Sequence, residues 1–226
     1  MRMSILLRDG FTALDIVGGY EVLANLPGMD VEFVAPDAGL VWADTRRLAL
    51  HAWKTHAQVQ ATDILYVPGG PGVEAGLADT VLMQTIRRLH ETATWTMAVC
   101  NGVEWLGKAG LITGKEVTTN WACRTKVSAY GARVNSQRFH RDGKIITGAG
   151  VSASIDASLY LASLIAGEDV AKNLQLGIEY YPAPPFGNGT PDDAPPMAQA
   201  IVRQFEAEGT ERLKALQARI PRSAVT

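Results

Sequence analysis

The sequence predicts an open α/β sandwich, a mainly parallel sheet with helices on both faces. Three observations predict it. Short apolar runs of strand length alternate with longer stretches whose apolar residues recur at helical spacing. The connections between them are short and marked by Gly, Pro and Asp. No repeat, low-complexity tract or linker interrupts the 226 residues, a length that suits one large domain with a sizeable core. Repeated strand–helix units with short connections place their strands side by side and parallel.

In chain order, Ser4–Leu7 reads as the first strand and ends at the turn Arg8-Asp9-Gly10. Asp15 to Leu26 carries Ile16, Val17, Tyr20, Leu23 and Ala24 at helical spacing, and Pro27-Gly28 stops it. Val31–Ala35 is a second strand, and Leu40–Ala43 with Leu48–Ala52 form a side hairpin. Asp63–Val67 is a buried strand that runs into Pro68-Gly69-Gly70-Pro71-Gly72. Thr80–Thr92 is a helix, with Val81, Leu82, Ile86 and Leu89 on one face. The strand Trp95–Val99 leads into a helix over Asn101–Ala109. Glu116–Thr119 is a short strand and Trp121–Tyr130 a helix. Asp142-Gly143 within Arg138–Thr147 signals a hairpin. Helices follow over Ala153–Ala166 and Ala171–Glu179, then a proline-rich ordered loop over Tyr181–Gly187. A long amphipathic helix over about 196–219 closes the chain, with Met197, Ile201, Phe205, Leu213, Leu216 and Ile220 on one stripe.

The most informative stretch is Ala98-Val99-Cys100-Asn101-Gly102. Small residues flank a nucleophile between a strand and a helix, the pattern of a nucleophile elbow. A thiol at a helix start sits among free N–H groups and is expected to favour the thiolate. Parallel sheets bind ligands outside the carboxyl ends of their strands, where Cys100 and the Gly69-Gly70 pair both fall. The backbone N–H groups of Gly69, Gly70 and Asn101 are therefore candidates to bind substrate and stabilise negative charge. A plain β-turn is the alternative for the glycines.

None of the four histidines, His51, His56, His90 and His140, falls at a predicted strand carboxyl end. Asp15 is the better proton carrier. It begins a helix beyond the first strand, and apolar surroundings near a thiol would raise its pKa. A simple helix cap is the alternative. Asp156, inside an apolar helix, reads as a structural hydrogen-bonding group, and Cys123 as a core residue. Asn120, Trp121, Tyr181 and Phe186 are candidate pocket walls.

Composition bounds the function. Charged residues make up 19% and hydrophobic ones 47% of the chain, with a net charge of −2, so neither nucleic acid nor an anionic membrane is an expected partner. No apolar run reaches the ~18 residues of a membrane span, and Met1–Leu7 is too short for a signal peptide. The two cysteines lie far apart and point to free thiols in a reducing cytoplasm. A Cys100–Cys123 disulfide is the less favoured alternative. No Cys/His cluster has metal-ligand spacing.

These motifs together resemble the ThiJ/PfpI superfamily, and most closely its isocyanide hydratase branch, over nearly the whole chain. The resemblance is carried by Asp15-Ile16-Val17-Gly18, by Val67–Gly72, by the elbow, and by Leu106–Lys115. Thr118-Thr119-Asn120-Trp121, Thr147–Gly150 and Gln175 with Glu179-Tyr180 continue it. Tyr181–Phe186 followed by Gly189-Thr190-Pro191-Asp192 is the most branch-specific stretch. Three places depart from the branch: Asn101 stands where Thr or Ser is usual, Gly102-Val103 ahead of Glu104 and bulky Trp105 where Gly-Ser or a similar small polar residue is usual, and Asn120 where His is usual before Trp.

The resemblance implies a flavodoxin-like, glutamine amidotransferase-like fold and a single domain over 1–226. It implies a homodimer without cofactor. It also implies hydration of an isocyanide to an N-substituted formamide, with Cys100 as nucleophile forming a covalent thioimidate and Asp15 as acid/base. Gly69, Gly70, Asn101 and Trp121 would bind the small-molecule substrate. The alternatives are a cysteine enzyme acting on another small electrophile, a dicarbonyl or an imine, and a non-catalytic thiol sensor or ligand-binding protein.

Overall fold

The computed structural model describes residues 1–219, so Ile220 lies outside the described residues. The first half of the chain runs β1 (Arg2–Leu6), α1 (Ala13–Leu23), β2 (Asp30–Ala35), β3 (Gly39–Trp42), β4 (Ala49–Ala52), β5 (Lys54–Thr55), β6 (Ile64–Val67), α2 (Gly72–Gly76), α3 (Thr80–Thr92) and β7 (Trp95–Val99). The second runs α4 (Val103–Lys108), β8 (Glu116–Val117), α5 (Arg124–Ser128), β9 (Arg133–Val134), β10 (Phe139–Asp142), β11 (Ile145–Gly148), α6 (Ala153–Ala166), α7 (Glu168–Gly177), α8 (Pro196–Ala207) and α9 (Gly209–Arg219).

The main sheet has the order β10-β11-β7-β6-β1-β2-β5. All its pairings are parallel except β10 with β11, the hairpin turned by Asp142-Gly143. Its inner strands, β2-β1-β6-β7-β11, reproduce the flavodoxin-like order, with the crossing point between β1 and β6. Alternation along the strands feeds two cores. Ile5, Tyr66, Met97 and Ile146 pack with Ile16 and Leu23 of α1 and Leu161 of α6. Leu6, Leu65, Val67 and Ala98 pack on the other face with Leu82 and Ile86 of α3 and Leu106 of α4. Strands covered on both faces must be apolar throughout, which is why β6 is buried at every position.

Several elements differ from the sequence reading, for local reasons. The strand at Glu116 stops at Val117 and pairs with β9 outside the main sheet. Thr118 and Thr119 leave it to brace the neighbouring strand ends: Thr118 N–H donates to Thr147 Oγ1 at 2.9 Å, and Thr119 Oγ1 to the Cys100 carbonyl at 2.7 Å. The helix after Val99 begins as a 3-10 turn, Cys100–Gly102, before α4. The expected long terminal helix is two, α8 and α9, with the junction at Glu208-Gly209. Buried Gly209 sits against Pro71, and Leu213 on α9 fills the space beside Gly10. β5, α2 and β9 had no clear sequence signal, being only 2, 5 and 2 residues long. Among the described residues no helix is long and apolar enough to cross a membrane.

Candidate active site

The site is built where β1, β6 and β7 end. Cys100 follows Val99 directly and takes a left-handed backbone, φ +57°. This conformation costs a side-chain-bearing residue about 1 kcal/mol and must be held by its surroundings. Cys100 N–H donates to the Ala149 carbonyl at 2.9 Å, and its own carbonyl accepts from Thr119. Gly102 lets the turn close, because a Cβ there would meet the Pro68 carbonyl oxygen at 2.5 Å. Trp105, the bulky residue of α4, turns away into the core and donates to the Val73 carbonyl at 2.9 Å.

Asp15 lies in the first turn of α1 and is fully buried. It does not cap its own helix. Its Oδ2 accepts from Gly69 N–H at 2.9 Å, while Oδ1 has no conventional hydrogen-bond partner. Burial pushes its carboxyl from the ordinary 3.8 up to about 8, and the charges of Asp44 and Glu206 add to the rise. The Gly69 N–H and the Cys100 side chain oppose it. The Cys100 thiol is itself pushed well above its usual value, first by burial and then by the Asp15 charge. Hydrogen bonds from the Asn120 side chain (Nδ2 to Sγ, 3.5 Å) and the Asn101 backbone only partly offset this. The expected thiolate at a helix start is therefore corrected. Cys100 precedes α4 by a 3-10 turn and is 4% exposed, so desolvation outweighs the helix-terminal field.

Gly69 is the meeting point of the site. A Cβ there would lie 2.3 Å from Asn101 Oδ1 and 2.9 Å from both Asp15 Oδ2 and Cys100 Cβ. The glycine N–H groups expected to be free are both engaged. Gly69 donates to Asp15, and Gly70 to Asn101 Oδ1 at 2.7 Å. Above them opens a cleft of about 780 Å³, lined by Cys100, Asn101 and Gly70 below and by Arg203, Phe205 and Glu206 of α8 above. Trp121 does not line it; the Arg203 guanidinium stacks over its ring at 4.4 Å. Tyr181 and Phe186, expected as pocket walls, are 76% and 80% exposed and do not line the cleft. No histidine lines it either.

Asp156 accepts from Arg138 and from Tyr180 Oη, a structural pairing away from the cleft. Cys123 is buried in the cleft wall, its thiol paired with buried Glu104 and pushed up to about 12 by desolvation and that carboxyl. Both cysteines are free. Among the described residues no cluster of His, Cys, Asp and Glu is arranged to hold a metal ion. The sequence reading missed Thr119, Asp44 and the α8 residues. Nothing in a polar helix face distinguishes side chains that turn toward a distant cleft from those that face water.

The sequence profile of the DJ-1/PfpI family matches residues 1–164. The chain belongs to this family. Within the family it is 37% identical over 214 residues to isonitrile hydratase of Pseudomonas putida, covering 95% of this chain and 92% of that one. A solved ThiJ/PfpI family protein from Pseudomonas syringae superposes with a TM-score of 0.88 at 31% identity, over 95% of this chain and 89% of that one. Drosophila melanogaster DJ-1beta shares the fold, with a TM-score of 0.73 at 19% identity over 80% of this chain and 98% of that one. The elbow cysteine and Asp15 both lie inside the matched DJ-1/PfpI segment, whereas α7, α8 and α9 lie beyond it.

Proposed function

We propose that this chain is an isocyanide hydratase, with Cys100 as nucleophile and Asp15 as acid/base. The observation that carries the reading is a fully buried carboxyl, held protonated up to about pH 8, beside an elbow thiol. An isocyanide carbon must gain both a nucleophile and a proton. In a dry site both are best delivered without separating charge. Cys100 Sγ bonds the terminal carbon as Asp15 gives that carbon its proton. The thiol proton passes to the carboxylate so formed, and the product is an S-linked thioimidate, R–N=CH–S. Water then adds to the same carbon with Asp15 assisting its deprotonation. The nitrogen takes a proton, the C–S bond breaks, and R–NH–CHO leaves with the thiol restored. The sum is R–NC plus H₂O giving the formamide, with no redox change.

The committed glycine N–H groups favour this chemistry over a carbonyl electrophile. Addition to a dicarbonyl would place negative charge on oxygen, and the loop donors that would receive it are already bonded. Burial of the thiol and its raised pKa count equally against an oxidation sensor, which needs an exposed thiolate. Gly70 and Asn101 line the cleft where substrate would enter, with Gly69 holding the acid. We further propose a homodimer, supported by the exposed apolar stripe Leu14, Val17 and Tyr20 on α1. Light scattering at micromolar concentration should return twice the chain mass.

The test of the activity is direct. Purified protein given a simple aryl or alkyl isocyanide should release the matching formamide, and brief denaturing quench should trap a Cys100 adduct by mass spectrometry. Absence of formamide, or unchanged turnover by Cys100→Ala, would overturn the reading.

A further inference from the structure

The Asn101 carboxamide is committed at both ends to one residue. Its Oδ1 accepts from Gly70 N–H at 2.7 Å, and its Nδ2 donates to the Gly70 carbonyl at 3.1 Å. Gly70 has φ +125°, a backbone without a side chain to fix it, and Gly69 before it carries the N–H that meets Asp15 Oδ2. These two glycines hold the acid, and their carbonyls are tied on the other side, Gly69 O accepting from Thr12 N–H and Gly70 O from Val73 N–H, each at 3.0 Å. The two-point grip of Asn101 adds the hold from the elbow side and engages the Gly70 N–H itself. One bond at each end fixes the plane of the Asn101 carboxamide against Gly70.

We infer that Asn101 is a positioning residue: it clamps the Gly69-Gly70 loop from the elbow side and so keeps the Gly69 N–H on Asp15, acting on the reaction through that loop instead of by touching substrate. Its kinetic consequence rests on the hydratase reading, and its structural consequence does not. Releasing the clamp loosens the one backbone donor that stabilises ionised Asp15. The other groups acting on that carboxyl stay in place: Cys100 at the elbow, Tyr66 on β6, Asp44 after β3 and Glu206 on α8. The acid should then ionise at higher pH.

Asn101→Ala removes the grip, and Asn101→Leu removes it while keeping the side chain's shape. Three readouts on the full chain test the inference. Hydrogen exchange of the amides over residues 69–70 should accelerate about tenfold in both variants, the loss of about one hydrogen bond's protection. Cys100 alkylation by iodoacetamide, followed by peptide mass spectrometry, should show the Asp15 ionisation as an inflection near pH 8 in the wild type, moved up by about half a pH unit or more in the variants. With isocyanide, kcat should fall about tenfold while KM changes less than about twofold. Unchanged exchange, an unmoved inflection, or a raised KM with kcat intact would each overturn the inference. If no variant and no wild-type protein hydrates isocyanide, the hydratase reading fails, and exchange and alkylation still decide the clamp.

Discussion

The sheet's carboxyl edge and the C-terminal helices are built on opposite terms. At the edge, Asp15, Gly69, Cys100, Thr119 and Asn120 come from four separate chain segments and lie buried, bonded to one another. Across the cleft, α8 has no buried residue at all, and Met197, Ile201 and Phe205 are 76%, 62% and 59% exposed. α9 ties this region down through Leu213 and Gly209, and α8 adds the Arg203 contact over Trp121. The family match follows the same division, covering the edge and ending within α6. The difference teaches that, on the hydratase reading proposed above, bond-making belongs to the buried side. The loosely packed side can vary without disturbing it, and there substrate choice can be tuned.

The sharpest way to break this comparison is to remove the acid. Asp15→Asn should lower kcat/KM for an isocyanide by about a thousandfold or more, as loss of an acid/base in a sealed site requires. Activity within about tenfold of wild type would mean that the buried edge does not hold the proton. The pH profile follows next in size. With a carboxyl that titrates at about 8, kcat/KM should be flat below that pH and fall about tenfold per unit above it. Rates that rise through pH 8 would instead assign the chemistry to a free thiolate.

The opposite side of the cleft should respond differently. Arg203→Ala, which frees Trp121, should raise KM for a bulky isocyanide about three- to tenfold and leave kcat within about twofold. A kcat loss there would erase the division between the two regions. The smallest effect is on stability. Folded Asp15 titrates at about 8 and its ordinary value is 3.8. Between those pH values the unfolded chain gives up a proton that the folded chain keeps. Wild-type stability therefore declines across that window and levels off above it. Asp15→Asn has no such loss, so its melting temperature relative to wild type should climb by about 5 °C or more between pH 4 and pH 8. A constant offset across the range would mean that the carboxyl ionises normally.

Much of the fold was legible because helix and strand periods leave different marks. α3, β7 and α6 occupy the spans their apolar spacing predicted. Cys100 was visible because an elbow demands small neighbours, and Asp15 because an acid between Leu14 and Ile16 is out of place on a helix turned to a core. What spacing could not carry were short-range bargains made between distant segments. Thr119 leaves its strand for the Cys100 carbonyl, and the terminal helix breaks at Gly209 to seat Leu213. The Asn101 side chain, on the cleft floor, bonds Gly70 at both its polar ends.

The sequence alone determined the alternation of elements, the elbow, and the presence of one cysteine and one acid at the same sheet edge. These depend on period, small residues and strand order, which are local or topological. Tertiary structure decided the protonation of that pair. The raised Asp15 pKa is expected from its apolar neighbours, whereas a helix start argues for a thiolate at Cys100 and the folded site pushes that thiol toward its neutral form. The reason is desolvation, which depends on everything packed around a group: Leu14 and Ile16 hint at it for Asp15, but nothing beside Cys100 tells that burial will outweigh the helix-terminal field there.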